Sequence, residues 1–196
     1  MRVGMIFECK KDGPDFRVCS HFAKRIRPDI EIREVTLGDK ATLVADCAKS
    51  VKLLLEGGCQ RVLIIWDLRP PIPNGEKLDC VRECDLVKKA LATGGVKSPN
   101  VHLITIREEL ETWFLADRNA ISQFLSTSHK VELPAWKKPE KVKQPKAALI
   151  NAFEDSPRFH RRYTDMTHAL QIAQTCDINR LKRVQSFKRF ADILSA

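Results

Sequence analysis

No stretch of the 196-residue chain approaches the run of about 20 apolar residues that a membrane-crossing helix needs, which excludes a helical span. The apolar run Arg2–Phe7 is too short for a secretory signal and meets Glu8 at once, so a cytoplasmic protein is expected. Glycine is scarce, with eight residues, and no Gly-rich phosphate loop is formed; a Ser or Cys nucleophile motif is also absent. The seven cysteines (Cys9, Cys19, Cys47, Cys59, Cys80, Cys84 and Cys176) are odd in number and scattered, unlike a disulfide framework. Cys80 and Cys84, four residues apart, suit one helix face, and no Cys/His cluster completes a tetrahedral zinc site. His21, His102, His129, His160 and His168 show no metal-ligand spacing, and no internal repeat is visible.

A hydrophobic content of 43% is enough for a proper core. The net charge of +9 is uneven: residues 1–129 hold 20 Lys/Arg against 18 Asp/Glu, and residues 130–196 hold 14 against 7. A basic excess in one region attracts a polyanion, most commonly nucleic acid, although a solvated lysine-rich linker explains Lys137–Lys146 equally well.

The periodicities alternate. Arg2–Phe7 reads as a strand, Asp15–Arg27 as a helix stopped by Pro28, Ile30–Leu37 as a strand, and Ala41–Glu56 as a helix closed by Gly57-Gly58. Arg61–Trp66 is apolar throughout, as a strand buried on both faces should be, and it runs into Asp67 and the proline-rich loop Arg69–Gly75. Asp79–Ala92 is expected to be helical, Val101–Ile106 a fourth strand, and Glu108 to Leu125 one long helix. Strand and helix in alternation predict an α/β core with a four-stranded parallel sheet over residues 1–126. A Lys/Pro-rich linker over 127–145 and a basic helical C-terminal appendage over 146–196 complete the expected organisation.

In open parallel sheets ligands bind at the carboxyl ends of the strands, and Glu8 and Asp67 stand at two such ends. If those strands are neighbours the carboxylates converge, and hard oxygen ligands there suit Mg²⁺ or Mn²⁺. The plain alternative is that each acid caps the loop or helix that follows it. Glu108, Glu109 and Glu111 begin a helix at the end of the fourth strand, where acids favour the helix dipole; Glu111 is near enough to reach the crevice. Asp117, six residues further on another helix face, reads as a structural tie.

These acids belong to a recognisable pattern. Glu8, Asp67, the stretch Glu111-Thr-Trp-Phe-Leu-Ala-Asp117, and Cys176-Asp-Ile-Asn-Arg180 with Ser186-Phe-Lys-Arg-Phe190 resemble a bacterial family, domain of unknown function 4276. Its core is similar to the Toprim fold of topoisomerases, primases and some nucleases, and its members often accompany an ATPase in defence against phage. The resemblance implies a Toprim-like (Rossmann-like) fold, Glu8 as general acid/base and Asp67 as a metal ligand, so Mg²⁺ or Mn²⁺ is expected on Glu8 and Asp67, with Glu111 a candidate further ligand. Where the Toprim pattern has a second aspartate, this chain has Arg69, in Asp67-Leu68-Arg69. Arg69 contacting a phosphate, Glu111 or Asp79 replacing the missing ligand, and loss of the chemistry all remain open.

The C-terminal charges suggest where a polyanion would lie. Arg180, Arg183, Lys188 and Arg189 accompany Phe187 and Phe190, and Arg158, Arg161 and Arg162 surround His160 and Tyr163. Cations interleaved with aromatics grip a phosphate backbone, while Leu181, Val184, Phe187, Phe190 and Leu194 also read as an ordinary packing stripe. With Lys10, Lys11 and Arg69 near the crevice, these residues are the candidate nucleic-acid contacts. The expected function is a metal-dependent nuclease, and its alternative a non-catalytic binding or adaptor subunit. The expected partners are nucleic acid, an ATPase and a second copy of the chain.

Overall fold

The two strands whose residues are apolar almost throughout, β1 (Arg2–Phe7) and β3 (Arg61–Asp67), occupy the middle of a four-stranded sheet. β2 (Glu31–Thr36) and β4 (Val101–Ile106) form its edges, in the order β2-β1-β3-β4, with every pair parallel. The computed structural model describes residues 1–71, 79–128, 130–156, 158–159 and 162–196. The end of the proline-rich loop, together with His129, His160 and Arg161, lies outside them.

Each strand feeds a helix. α1 (Pro14–Ile26) follows β1, α2 (Lys40–Glu56) follows β2 with Asp39 capping Thr42 N–H, and α3 (Cys80–Thr93) follows β3 with Asp79 capping Arg82 N–H. α2 and α3 cover one face, where Ile6, Val62, Ile64 and Trp66 meet Leu43, Val51 and Val87. Gly4 permits this approach: a Cβ there would stand 2.8 Å from Leu54 Cδ1.

The other face carries Val3, Met5, Phe7, Leu63, Ile65, Ile104 and Ile106. α1 packs there with α4 (Glu111–Phe114), α5 (Arg118–Leu125), α6 (Pro145–Glu154), α7 (Asp165–Thr175), α8 (Ile178–Leu181) and α9 (Gln185–Ser195). Phe22, Trp113 and Phe187 form a ring cluster with centroids 5.0–6.3 Å apart, and Trp113 Nε1 donates to Ser186 Oγ at 2.9 Å. The expected core of residues 1–126 and the expected helical region of 146–196 thus share one hydrophobic core.

One expectation is corrected. The single helix over Glu108–Leu125 is instead α4, a 3₁₀ turn (Leu115–Asp117) and α5. The break has a cause: Asp117 leaves helical geometry to cap α5, accepting from Ala120 N–H at 3.3 Å. The described residues of 126–144 contain only a 3₁₀ turn at Pro139–Lys141, and the helix α6 already begins at Pro145. Among the described residues no helix is long and apolar enough to cross a membrane.

Candidate functional site

The strand order creates a crevice. The chain leaves β1 toward β2 and leaves β3 toward β4, so the connections diverge between the carboxyl ends of β1 and β3. Glu8 follows β1 directly and Asp67 ends β3, so both acids stand at this point. The backbone N–H of Asp67 donates to Glu8 Oε1 at 2.6 Å. Asp67 Oδ2 accepts from Leu110 N–H at 3.0 Å, while its Oδ1 is buried and receives no hydrogen bond among the described residues.

Further charges surround this pair. Asp15, in the first turn of α1, and Glu111, the first residue of α4, both lie within electrostatic reach of Asp67. Glu111 is buried at 2% exposure, and Tyr163 Oη donates to its Oε1 at 2.9 Å. Lys146 joins Asp165 at 2.5 Å and donates its backbone N–H to Glu109 Oε2 at 3.2 Å. On the other side Lys40, only 6% exposed, bonds Glu83 at 3.2 Å and the carbonyl of Pro70.

Burial dominates the protonation of these acids. It pushes Glu8 up to about 8 against the opposing pull of Lys40 and the Asp67 N–H. Asp67 is held well above the usual carboxylate range, first by burial and then by Asp15, Glu8 and Glu111. Burial raises Glu111 to about 7, opposed by Lys146, and raises Asp15 to about 6. Four acids so placed favour holding protons over remaining ionised together.

The donor chemistry of Glu8 and Asp67 fits a hard divalent cation, and the buried Asp67 Oδ1 is an oxygen without a hydrogen-bond partner among the described residues. Among the described residues, however, no group of three or more His, Cys, Asp or Glu is arranged to hold an ion. Glu111 is near the pair without completing a three-carboxylate set. One or two carboxylates completed by water are the ligand set that Mg²⁺ commonly accepts.

Arg69, where the Toprim pattern has an acid, is tied to the β4–α4 loop. Its Nη2 donates to Glu108 Oε2 at 2.9 Å and to the Lys143 carbonyl at 3.2 Å, and its backbone N–H meets the Glu108 carbonyl at 2.8 Å. Glu108 holds a φ of +65°, a left-handed conformation uncommon for a residue with a side chain. Asp79 is occupied as the α3 cap. Lys10 and Lys11 are exposed in the loop after Glu8.

The basic C-terminal residues are mostly engaged elsewhere. Arg180 pairs with Asp117 at 3.1 Å, Arg183 donates to the Ala116 carbonyl at 2.7 Å, and Lys188 pairs with Asp192 at 2.9 Å. Arg158 donates to the Phe124 carbonyl and lies 5.4 Å from the rings of Phe124 and Phe159. Tyr163, grouped in sequence with these cations, is instead buried against Glu111. Arg189 is exposed beside β4.

Sequence reasoning missed Asp15, Lys40, Lys146 and Tyr163. For Asp15 and Lys40 a signal exists, because the first turns of helices after parallel strands wall the same crevice. Lys146 and Tyr163 arrive from distant sequence by tertiary packing, and no local pattern announces them.

No curated protein and no solved structure matches the chain. A family model described as "Domain of unknown function (DUF4276)" matches residues 21–195, a span holding Asp67, Glu111 and Tyr163 and beginning after Glu8 and Asp15. The chain therefore belongs to the DUF4276 family.

Proposed function

We propose that the crevice is the active site of a Toprim-like, Mg²⁺- or Mn²⁺-dependent nuclease that hydrolyses nucleic-acid phosphodiesters. The observation that carries this reading is the convergence of Glu8 and Asp67 at the strand-order switch, with Asp67 Oδ1 buried and unpartnered among the described residues. Glu8 and Asp67 would hold the ion, with Glu111 close enough to add charge. When bound, such an ion polarises a phosphoryl oxygen or lowers the pKa of a water. Without the ion, burial raises Glu8 to about 8, so its carboxyl exchanges a proton near neutral pH as a general acid/base must, and an ion held on Glu8 would displace that proton. The Asp67 N–H fixes that carboxyl in place, and Lys40 offsets part of its desolvation. Lys10, Lys11 and the half-exposed Arg69 supply positive charge for a phosphate backbone. The family resemblance adds an expected setting, a cytoplasmic effector of phage defence beside an ATPase.

The test is cleavage of single- and double-stranded DNA and RNA with Mg²⁺ or Mn²⁺, alone and with an ATPase partner. Calorimetric titration of Mn²⁺ runs beside it. The reading predicts that Glu8→Gln abolishes cleavage and that Asp67→Asn weakens Mn²⁺ binding by about tenfold or more. Cleavage by Glu8→Gln at the wild-type rate, or Mn²⁺ affinity untouched by Asp67→Asn, sinks it.

A second reading, a non-catalytic nucleic-acid-binding or adaptor subunit, is favoured by Arg69, a cation paired with Glu108 where the Toprim pattern has a second acid. It predicts metal-independent binding that survives Glu8→Gln and weakens when tail residues such as Arg189 become alanine.

A further inference from the structure

The two edges of the sheet are treated differently. β2 presents Glu31 and Arg33 outward, and Arg2, Glu31 and Arg33 form a charged network of 2.8–2.9 Å contacts along it. Such charges discourage another strand from pairing. β4 has no such guard. Val62 N–H donates to the Asn100 carbonyl and Leu68 N–H to the Ile106 carbonyl. In a parallel ladder this turns the backbone groups of residues 102, 104 and 106 toward β3. The N–H and C=O groups of Leu103 and Thr105 therefore face away from the sheet, and neither residue has a backbone partner outside it among the described residues.

That free edge is the floor of a cavity of about 870 Å³. α3 supplies one wall through Val81, Cys84 and Leu91, and α9 the other through Gln185, Ser186 and Arg189. Val101 and Leu103 offer apolar side chains on the α3 side.

The charge of this groove is specific. Its acids are occupied: Asp79 caps α3, Glu108 pairs with Arg69, and Glu140 accepts Gln185 N–H at 3.0 Å. Arg107 and Arg189 are exposed, with no side-chain hydrogen bond or ion pair among the described residues. Asp79 and Glu140 keep their charge and Lys88 pairs with Asp85, so the lining is near neutral in sum, and its charged side chains without a partner among the described residues are these two arginines.

We infer that the β4 edge groove is a docking site for an extended acidic peptide of a partner protein, which adds to the sheet as a fifth strand. Backbone bonds to Leu103 and Thr105 provide the register, and Arg107 and Arg189 select carboxylates. A second copy of the chain fits less well, since it carries +9 and would set its own Arg107 and Arg189 against this groove. The inference does not depend on chemistry at Glu8 and Asp67.

The test is an amide-resolved NMR titration of the ¹⁵N-labelled full chain with a peptide of about eight residues alternating Val and Glu, a typical strand length. The Leu103 and Thr105 amides are expected to shift and gain exchange protection, with affinity falling as salt rises. Arg107→Glu with Arg189→Glu weakens binding by about tenfold or more. Leu103→Pro, which removes an outward N–H on an edge strand, does the same. Methylating alternate nitrogens of the peptide repeats the loss on unaltered protein, so the result does not hang on the folding of a variant. The inference is overturned if no amide moves at millimolar peptide, or if a Val/Lys peptide binds equally. It is also overturned if a short oligothymidylate, and not the peptide, protects these amides, or if sedimentation shows a dimer that Leu103→Pro dissolves.

Discussion

Glu8 couples proton binding to folding. Its folded value of about 8 lies above the ordinary 4.5, so the native state keeps a proton that the unfolded chain releases. The resulting stabilisation is complete below about pH 4.5 and is lost as pH rises through about 8. Asp67, Glu111 and Asp15 are raised in the same direction and add to the slope. Chemical denaturation from pH 4 to 9 should therefore show wild type losing stability across this window. Glu8→Gln, neutral throughout, should flatten the curve and gain on the order of 1–3 kcal/mol at pH 9 relative to wild type. A wild-type profile as steep in Glu8→Gln would assign the slope to the other acids. Tyr163 provides a second measurement: Tyr163→Phe leaves Glu111 Oε1 buried without its donor, at an expected cost of about 1–3 kcal/mol in urea titration. Glu8 and Asp67 were legible because each ends an apolar strand. Tyr163 was not, because a partner 52 residues from Glu111 is set by how α4 meets the segment before α7.

At the scale of elements, arginine does much of the joining. Arg25 donates to the carbonyls of Ala173 and Cys176 at the end of α7, Arg158 to Phe124 near the end of α5, and Arg2 to Gly57 after α2. Helix C-termini leave carbonyls unsatisfied, and a guanidinium answers both the hydrogen bond and the dipole. This explains part of the basic excess without any polyanion. Asp117 plays the converse part. It caps α5, accepts Asp177 N–H at 2.9 Å and pairs with Arg180, joining the broken helix to α8. Its role as a tie is legible in the sequence, where its position offers no other use for a charge. The helix break at the same residue is not, since the apolar period continues from Trp113 to Ile121 and only the cap reveals the interruption. Asp117→Ala removes the cap and two further hydrogen bonds, and should lower thermal stability by about 2–4 kcal/mol, well beyond the effect of Arg180→Ala. Equal losses in the two variants would place the weight on the ion pair instead.

For the molecule as a whole the question is whether residues 146–196 are an addition or a necessity. Composition separates them from the first 126 residues, since they are helical and basic, and the strand pattern of a parallel sheet is readable without them. Periodicity cannot reveal what covers the second face of that sheet, because the residues that do so lie far along the chain. In the structure Phe187, Phe190 and Leu194 of α9 are fully buried in the core formed by Phe22, Trp113 and the β1, β3 and β4 side chains. At about 1.5–3 kcal/mol for each fully buried large side chain, these three alone supply roughly 5–9 kcal/mol. A domain's whole stability is typically about 5–15 kcal/mol, so the contribution of α9 is comparable with the margin that keeps the chain folded. A chain ending at residue 176 should therefore lose cooperative urea unfolding and bind a hydrophobic dye, and one ending at 145 should do the same. Phe187→Ala in the full chain should fold and unfold cooperatively at a cost of about 3–5 kcal/mol. A sharp native-like transition for residues 1–145 would instead make the α/β portion self-sufficient. The crevice of Glu8 and Asp67 would then stand without Lys146 and Tyr163, and Glu111 would lose the partners that now hold its carboxyl in place.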